Sequence, residues 1–417
     1  MQAIKTMEFN ITQSPSDVLW RRKDIMLVAA GSGPCLRELY FRAAVQGKLQ
    51  QLMLCQITAD DYTMGTAEEK ITRVIKRAAA VNGVQIVVLY LNCLDILTRL
   101  DFDYLESSLS EATGVMVRYF FRGPLGKMDI GHFKPVDEFM AELPKENGCI
   151  SHNLYQLPPL AADVAGVIDT LPANEAKVLV APSGCRACLR DGDLLEQTQG
   201  VYALETKKQD FIYGIEDNCV KQCRELLAGG QYKCLNLISS AVAAFIGFDG
   251  NWVANSMENN LRTRSFDIDG FNDAVYGVSC VQELLAAEEQ EQYIKPAREI
   301  LILGYSPLLC GEREQYAECF AYIRSLGYEP RFVGEKAGGK PALCWVVSTA
   351  GIPAARVLNE KYAVPLLLSC PVGEHAMKMW RKNVQELCVT ENNEIRQLCI
   401  HNYSIEETDK RKLLFIG

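Results

Sequence analysis

The chain has 417 residues, and this length predicts more than one domain, because one hydrophobic core seldom serves more than about 250 residues. Its hydrophobic content of 48% and charged content of 23% are typical of a globular protein. The formal net charge of −9 argues against a nonspecific nucleic-acid binder, since such proteins carry a basic surface. No apolar run approaches the about 20 residues of a membrane helix, and residues 1–10 lack a signal-peptide pattern. We therefore expect a cytoplasmic protein without nucleic-acid or membrane partners.

Short apolar runs alternate with amphipathic helices along the first third of the chain. The helix predicted from residue 66 onward places Ile71, Ile75 and Ala78 on one face, which indicates a helix with one buried side. The run 84–91 contains Gln85 as its single polar residue, as expected for a parallel strand that is buried on both faces. The alternation predicts a parallel sheet covered by helices.

The same plan recurs 148 to 150 residues later. Cys185 follows an apolar run and a Pro/Gly turn as Cys35 does, 150 residues apart, and the run 234–240 corresponds to the run 84–91. A third α/β segment begins after the helical stretch 281–293. The sequence therefore predicts three Rossmann-like α/β domains, each a parallel sheet flanked by helices, at residues 1–150, 151–295 and 296–417.

Sixteen cysteines and four histidines direct the search for a metal site to thiolates. In a reducing compartment many cysteines indicate buried thiols or soft-metal ligands, and rarely a disulfide framework. Cys35 follows one predicted strand and Cys93 closes another, so both are expected at the carboxyl edge of one sheet, where ligands gather. Thiolates beside helix amino termini suit an anionic iron–sulfur cluster. The alternative interpretation is that both cysteines are small buried residues beside the sheet.

The other candidate residues also admit two interpretations. Cys185 and Cys188 form a Cys-x-x-Cys pair, which can belong to a cluster, a zinc half-site or a redox pair. Cys219 and Cys223 lie one helical turn apart and are expected in the core. His375 follows a strand-end loop, where it can act as a proton donor or be an ordinary surface histidine.

Several short motifs together resemble the nitrogenase component 1 family. They are Pro34-Cys35, the helix start Gly65-Thr-Ala-Glu-Glu69, the strand end Leu91-Asn-Cys93, the turn Ala181-Pro-Ser-Gly-Cys185 and the segment Asn359-Glu-Lys-Tyr-Ala-Val-Pro365. The resemblance implies stacked Rossmann-like domains and an iron–sulfur cluster, either [4Fe–4S] or P-cluster-like. It also implies three kinds of partner: an ATP-dependent iron–sulfur reductase, a second component 1-like subunit or a homodimer, and a small-molecule substrate.

Carried over residue by residue, the family's ligands fall on cysteines of this chain. Cys35 and Cys93 match two ligands of the family, and Cys185 matches the first of them again. Cys35 and Cys93 give two of the four ligands that a cubane cluster takes, so the others would come from Cys55, Cys185, Cys188 or a partner subunit. Cys35, Cys93, Cys185 and Cys188 are the expected set. His375 is the expected proton donor.

Two departures from the family bear on the reaction. Ala241 stands where the second domain would carry the counterpart of Cys93, and Val347 stands near the position of the family's active-site cofactor thiolate. Dinitrogen reduction is therefore not expected. The resemblance implies an iron–sulfur oxidoreductase subunit that passes electrons from the reductase to another small substrate. A non-catalytic scaffold for metallocluster or tetrapyrrole assembly and a metal-free relative that binds a small ligand remain open alternatives, so the sequence does not decide whether the chain is an enzyme.

Overall fold

A computed structural model describes residues 2–3, 14–98, 100–122, 134–151, 156–182, 185, 200–207, 209–257, 262–289, 293–389 and 395–397. The chain divides into two compact units, which we call unit 1 (Met1–Gly277) and unit 2 (Val278–Gly417). Three sheets of parallel strands flanked by helices confirm the predicted α/β class. The division into three domains at the boundaries given above stays a prediction. Within the described residues, every helix is too short or too polar to cross a membrane.

The strands and helices are numbered here in chain order. The strands are β1 (Gln2–Ala3), β2 (Ile25–Gly31), β3 (Leu52–Gln56), β4 (Ile86–Leu91), β5 (Met116–Phe121), β6 (Ala176–Leu179), β7 (Val201–Ala203), β8 (Cys234–Ile238), β9 (Arg262–Phe266), β10 (Glu299–Leu303), β11 (Glu329–Phe332), β12 (Leu343–Val346), β13 (Leu366–Leu368) and β14 (Ile395–Gln397). The helices are α1 (Pro15–Leu19), α2 (Gly33–Val45), α3 (Ala59–Met64), α4 (Ala67–Ala79), α5 (Cys93–Leu97), α6 (Phe102–Thr113), α7 (Val136–Glu142), α8 (Asp163–Thr170), α9 (Asp210–Tyr213), α10 (Glu216–Leu227), α11 (Ala241–Phe245), α12 (Gly250–Asn255), α13 (Ala274–Glu289), α14 (Pro307–Cys310), α15 (Ala317–Ser325), α16 (Ile352–Tyr362) and α17 (Glu374–Val389).

The first sheet of unit 1 has the strand order β3-β2-β4-β5, and all its strands are parallel. All six residues of β4 are buried, as the apolar run predicted. Ile71, Ile75 and Ala78 of α4 are fully buried against this sheet, so the predicted helix face is confirmed. Burial of this face provides most of the stability of α4, because an isolated helix of this length is marginal in water.

The second sheet of unit 1 repeats the topology of the first. Its order is β1-β7-β6-β8-β9, and its four strands β6 to β9 are parallel while β1 pairs antiparallel to β7. In both sheets the first strand of the repeat lies between the second and the third. The repeat predicted from the sequence is therefore confirmed in the strand order.

The sheet of unit 2 has the order β11-β10-β12-β13-β14, with all neighbours parallel. Its first strand, β10, again lies between the second and the third. One face packs on a core that includes Trp345 and Trp380, both fully buried, with ring centroids 4.8 Å apart. Aromatic pairs at this distance contribute about 1 kcal/mol beyond the burial of their area.

The same type of hydrogen bond occurs at the carboxyl edge of each sheet, and we call it the strand-end bond. The donor is a side chain just after β4, β8 or β12. The acceptor is a backbone carbonyl at the end of the neighbouring strand, β2, β6 or β10, where the strand order reverses. The three bonds join Asn92 Nδ2 to Ala30 O (3.1 Å), Ser240 Oγ to Val180 O (2.9 Å) and Ser348 Oγ to Gly304 O (2.6 Å). Such a crevice in an open parallel sheet is where ligands usually bind.

A buried carboxyl group lies at the start of α8 in unit 1. Asp163 is fully buried, and its carboxylate accepts hydrogen bonds from Val164 N (2.7 Å) and Gly270 N (3.2 Å). Burial raises the pKa of Asp163 to about 7, despite the opposing effect of these backbone donors. The folded state therefore holds a proton at a pH where the unfolded chain has lost it.

We expect Asp163→Asn to flatten the pH dependence of stability between pH 4 and 7. The unfolded carboxyl group has a pKa of 3.8 and the folded one about 7, so its contribution to stability is fully present below pH 3.8 and is lost as the pH rises through 7. This difference corresponds to about 4 kcal/mol. Urea unfolding of both proteins from pH 4 to 7 should show the asparagine variant gaining stability relative to the wild type; parallel profiles would show that Asp163 is already ionised when folded.

Candidate functional site

Cys35 lies in the first turn of α2, directly after strand β2. The strand ends at Gly31, whose φ is +137° and where a Cβ would lie 1.5 Å from Asn92 Nδ2. The chain then turns through Ser32 in an extended conformation, and Pro34 sits at the helix start, where its missing N–H costs no hydrogen bond. Cys35 is half-buried. The Gly-Ser-Gly-Pro sequence thus directs this thiol to the carboxyl edge of the sheet.

Cys93 is the first residue of α5, directly after strand β4. A capping box fixes this helix start: Asn92 Oδ1 accepts a hydrogen bond from Leu94 N (2.8 Å), and Asp95 Oδ2 accepts one from Asn92 N (2.8 Å). Cys93 is buried, with 8% of its surface exposed. Asn92 therefore both forms the strand-end bond and positions Cys93 at the same edge as Cys35.

Cys185 comes to these two cysteines from the second sheet of unit 1. It follows β6, and its backbone N–H donates to Pro182 O (2.9 Å). Burial raises the pKa of the Cys185 thiol, and the neighbouring thiols of Cys35 and Cys93 raise it further. The three thiols are therefore close enough for their charges to interact, although they belong to three separate segments. That they bind a metal stays a prediction.

The remaining predicted site residues lie elsewhere. Cys188 lies outside the described residues. His375 is exposed in the first turn of α17 in unit 2, and its role as a proton donor stays a prediction. Cys219 and Cys223 are fully buried with their sulfur atoms 3.9 Å apart, so their prediction as core residues is confirmed.

The described thiols do not form a site for a single metal ion. Within the part of the chain that the structure describes, no three His, Cys, Asp or Glu side chains are grouped closely enough to hold one metal ion. A cluster tolerates wider spacing, because its own iron and sulfide atoms fill the space between the thiolates. Cys35, Cys93 and Cys185 would supply three of the four thiolates that a [4Fe–4S] cluster takes.

Arg122 is a neighbour of this site that the sequence reasoning missed. Its Nη2 donates to Cys35 O (2.8 Å), its Nη1 lies 3.6 Å from Glu38, and its guanidinium lies 5.1 Å from the centre of the Tyr90 ring. The side chain is only 11% exposed, so the cation is held in place. Its position directly after β5, at the carboxyl end of a strand, is the signal that could have identified it.

An apolar cluster surrounds Cys93 on the side of the second sheet. Cys93 and Leu94 pack with Val242, and Ala241 lies in contact with the same cluster. Ala241 begins α11 after β8, as Cys93 begins α5 after β4. The two helix starts of unit 1 therefore meet with a thiol on one side and a methyl group on the other. Phe211 and Phe271 pack against the same cluster, which keeps this side of the thiol away from water.

A buried carboxyl–phenol pair lies next to Cys93. The Tyr62 hydroxyl donates to Asp95 Oδ1 at 2.8 Å, and Asp95 is fully buried. Burial raises the pKa of Asp95 to about 6, while the Asn92 N–H and the Tyr62 hydroxyl act in the opposite direction. Burial and the Asp95 charge raise the pKa of Tyr62. The hydrogen bond fixes the orientation of α5, which carries Asp95, against α3, which carries Tyr62, because it provides each buried polar group with a partner.

Comparison with protein-family models found no match, and comparison with curated proteins found none. Two solved structures similar to this chain are described as nitrogenase Cp1 at pH 6.5 and nitrogenase Cp1 at pH 5. Each is 14% identical over 58% of this chain, with TM-scores of 0.43 and 0.42, and the matches cover 55% and 58% of those chains. The chain thus spans little more than half the length of these structures. A likeness this weak does not indicate a shared activity.

Gly31→Ala is expected to destabilise unit 1 by more than about 3 kcal/mol. The alanine would be strained at the positive φ of this position, and its Cβ would overlap the Asn92 amide. The overlap cannot be relieved without breaking the strand-end bond. Urea unfolding of the variant measures this loss.

Gly114→Ala is the matched control, since its φ is also positive (+68°) but a Cβ there meets nothing within 4 Å. This control should lose only about 1–2 kcal/mol, from backbone strain alone. Equal losses in the two variants would show that the contact between Gly31 and Asn92 contributes nothing.

Proposed function

We propose that the chain is an iron–sulfur electron-transfer subunit of the nitrogenase component 1 type. In this proposal Cys35, Cys93 and Cys185 bind a [4Fe–4S] or P-cluster-like cluster, and Cys188 or a partner subunit completes the ligand set. The observation that carries the proposal is the shared position of Cys35 and Cys93, each in the first turn of a helix that follows a strand of the first sheet, with Cys185 of the second sheet near enough to act on both. The family motifs around these same residues support it independently.

The residues around the three thiols suit this role. A bound cluster supplies one-electron transfer at a potential that nearby charge and burial set. Arg122 holds a guanidinium beside the Cys35 carbonyl, with Glu38 3.6 Å away, and it would offset part of the negative charge of bound thiolates. Leu94 and Val242 keep water away from Cys93, which lowers the local dielectric constant and strengthens the effect of the guanidinium.

The proposal extends to partners and substrate. An ATP-dependent iron–sulfur reductase would supply the electrons, and a second component 1-like subunit or a second copy of the chain would complete the assembly in the cytoplasm. The substrate would be a small reducible molecule other than dinitrogen. By the resemblance, the family's cofactor thiolate would fall near Val347, which is not a ligand. The nearby Cys344 is fully buried in the core, and both points support the exclusion of dinitrogen.

One observation favours a second candidate, a metal-free relative that binds a small ligand. The described residues contain no group of three side chains suited to a single metal ion, and Ala241 replaces a thiolate in the second sheet. This candidate uses the same sheet edge and needs no reductase. A wild-type protein that stays colourless and free of iron after anaerobic reconstitution would select it.

The double variant Cys35→Ala/Cys93→Ala should bind no iron after anaerobic reconstitution with ferrous iron and sulfide. The wild type should keep about four irons per chain or per dimer, as one [4Fe–4S] cluster requires. Iron is measured per chain after gel filtration, and circular dichroism checks that the variant is folded.

The matched control is Cys149→Ala/Cys370→Ala, which also removes two thiols but takes both from exposed positions. This control should keep the wild-type iron content. Unchanged iron in the first variant, or equal loss in both, would contradict the ligand assignment. If the assignment holds, turnover with an added reductase separates an enzyme from an assembly scaffold.

A further inference from the structure

The sheet of unit 2 carries a second group of sulfur side chains at its carboxyl edge. Cys310 ends helix α14 after β10, and Cys370 follows β13 by two residues. Cys319 on α15 has its sulfur 3.9 Å from Met377 Sδ. All four side chains belong to unit 2.

Cys310 is held at the point where the strand order reverses. Helix α14 is a single turn, and it brings the Cys310 thiol back to donate a hydrogen bond to Gly304 O at 3.5 Å. The same carbonyl accepts the strand-end bond from Ser348. The thiol therefore lies over the ends of β10 and β12, and it is half-buried.

Two neighbouring aromatic side chains, Trp345 and Tyr316, contact the backbone next to Cys370 and the backbone of Cys310. Trp345 Nε1 donates to Ser369 O (2.9 Å), directly before Cys370, and the Trp345 ring lies 6.1 Å from the Tyr316 ring. The Tyr316 hydroxyl in turn donates to Cys310 O (3.4 Å). Strands β10 and β13 flank β12, so their axes are about 10 Å apart. Cys310 follows β10 and Cys370 follows β13, and each side chain covers part of the distance between these two strands.

The electrostatics agree with a close approach of the two sulfurs. The Cys310 charge adds to burial in raising the pKa of Cys370, and both thiols raise the pKa of Tyr316. Burial and the Cys310 charge both disfavour the thiolate of Cys370. Two cysteines whose thiolates are not stabilised are easier to oxidise to a disulfide than two cysteines of which one is a stabilised thiolate, because stabilisation of the thiolate favours the reduced form.

Access distinguishes these two cysteines from their neighbours. Cys370 is exposed and Cys310 is half-buried, so a small reagent can reach the pair. Cys319 is 3% exposed and Cys344 is fully buried, and burial raises the pKa of each to about 12. Such buried thiols are inert towards exchange.

We propose that Cys310 and Cys370 form a reversible disulfide, which makes the carboxyl edge of this sheet a thiol–disulfide exchange site. Its substrate class is a small disulfide or an exposed protein disulfide. The site transfers two electrons, whereas an iron–sulfur cluster transfers one, and it does not depend on the function proposed above.

The exchange has two balanced steps. The Cys370 thiolate attacks one sulfur of the small disulfide, so that a mixed disulfide forms and one thiolate leaves and takes a proton. The Cys310 thiol then loses its proton to water, and its sulfur attacks Cys370 Sγ and releases the second thiolate, which is protonated in turn. Two protein thiols are oxidised, and one small disulfide is reduced to two thiols.

The test is disulfide mapping of the full chain. The protein is equilibrated without metal in glutathione buffers of increasing disulfide content, alkylated, digested and analysed by mass spectrometry. We expect a cross-linked peptide that joins Cys310 to Cys370 and that disappears on reduction. Its rate of formation should rise about tenfold per pH unit between pH 7 and 8, because the attacking thiolate fraction rises by that factor.

Cys219 and Cys223 are the internal control in the same digest. Their sulfur atoms are 3.9 Å apart, but both residues are fully buried, so this pair should remain reduced in the folded protein. The variant Cys310→Ser should leave Cys370 as a mixed disulfide with glutathione, which shows that Cys370 reacts first.

Two results would overturn the proposal. In the wild type, a mixed disulfide on Cys370 that persists without a cross-link would show that Cys310 cannot reach it. A cross-link of either cysteine to a different partner would assign the exchange site elsewhere. A Cys388→Ser variant, which removes a half-buried thiol of the same unit, should leave the cross-link unchanged.

Discussion

The close approach of Gly31 to Asn92 is the contact on which the candidate site depends. Only a residue without a side chain leaves room for the Asn92 amide to reach Ala30 O. The same asparagine caps α5 and so orients Cys93, while the turn after Gly31 leads to Cys35. One contact therefore positions two thiols that are 58 residues apart in sequence.

The strand-end bond recurs in all three sheets, but the residues beside it differ. The first sheet has Cys93 next to the bond, the second has Ala241, and the sheet of unit 2 has Cys310 donating to the same carbonyl as Ser348. The shared topology thus provides the same crevice three times, and the chemistry at each edge comes from a few side chains. In unit 1 the thiols of two edges act on one another, whereas the thiols of unit 2 form a group of their own.

Local pattern was sufficient to predict much of the fold. The apolar run of β4 and the buried face of α4 follow from periodicity, and the strand order of the second sheet follows from the repeat. Arg122 was missed because its contact with Cys35 joins residues 87 positions apart, and no local pattern records such a contact. The relation between Cys310 and Cys370 was missed for the same reason, since it depends on which strands are neighbours. Carboxyl-edge placement predicted that Cys35 and Cys93 meet, whereas the approach of Cys185 was expected only from the family resemblance, because Cys185 follows a strand of the other sheet.

The most direct test of the central claim is an iron and acid-labile sulfide count on wild-type protein purified without oxygen, together with its visible spectrum. The account predicts about four irons and four sulfides per chain or per dimer, and a brown colour that dithionite bleaches. A colourless protein without iron after reconstitution would contradict it, and Cys35, Cys93 and Cys185 would then be neighbouring thiols of a metal-free ligand-binding protein.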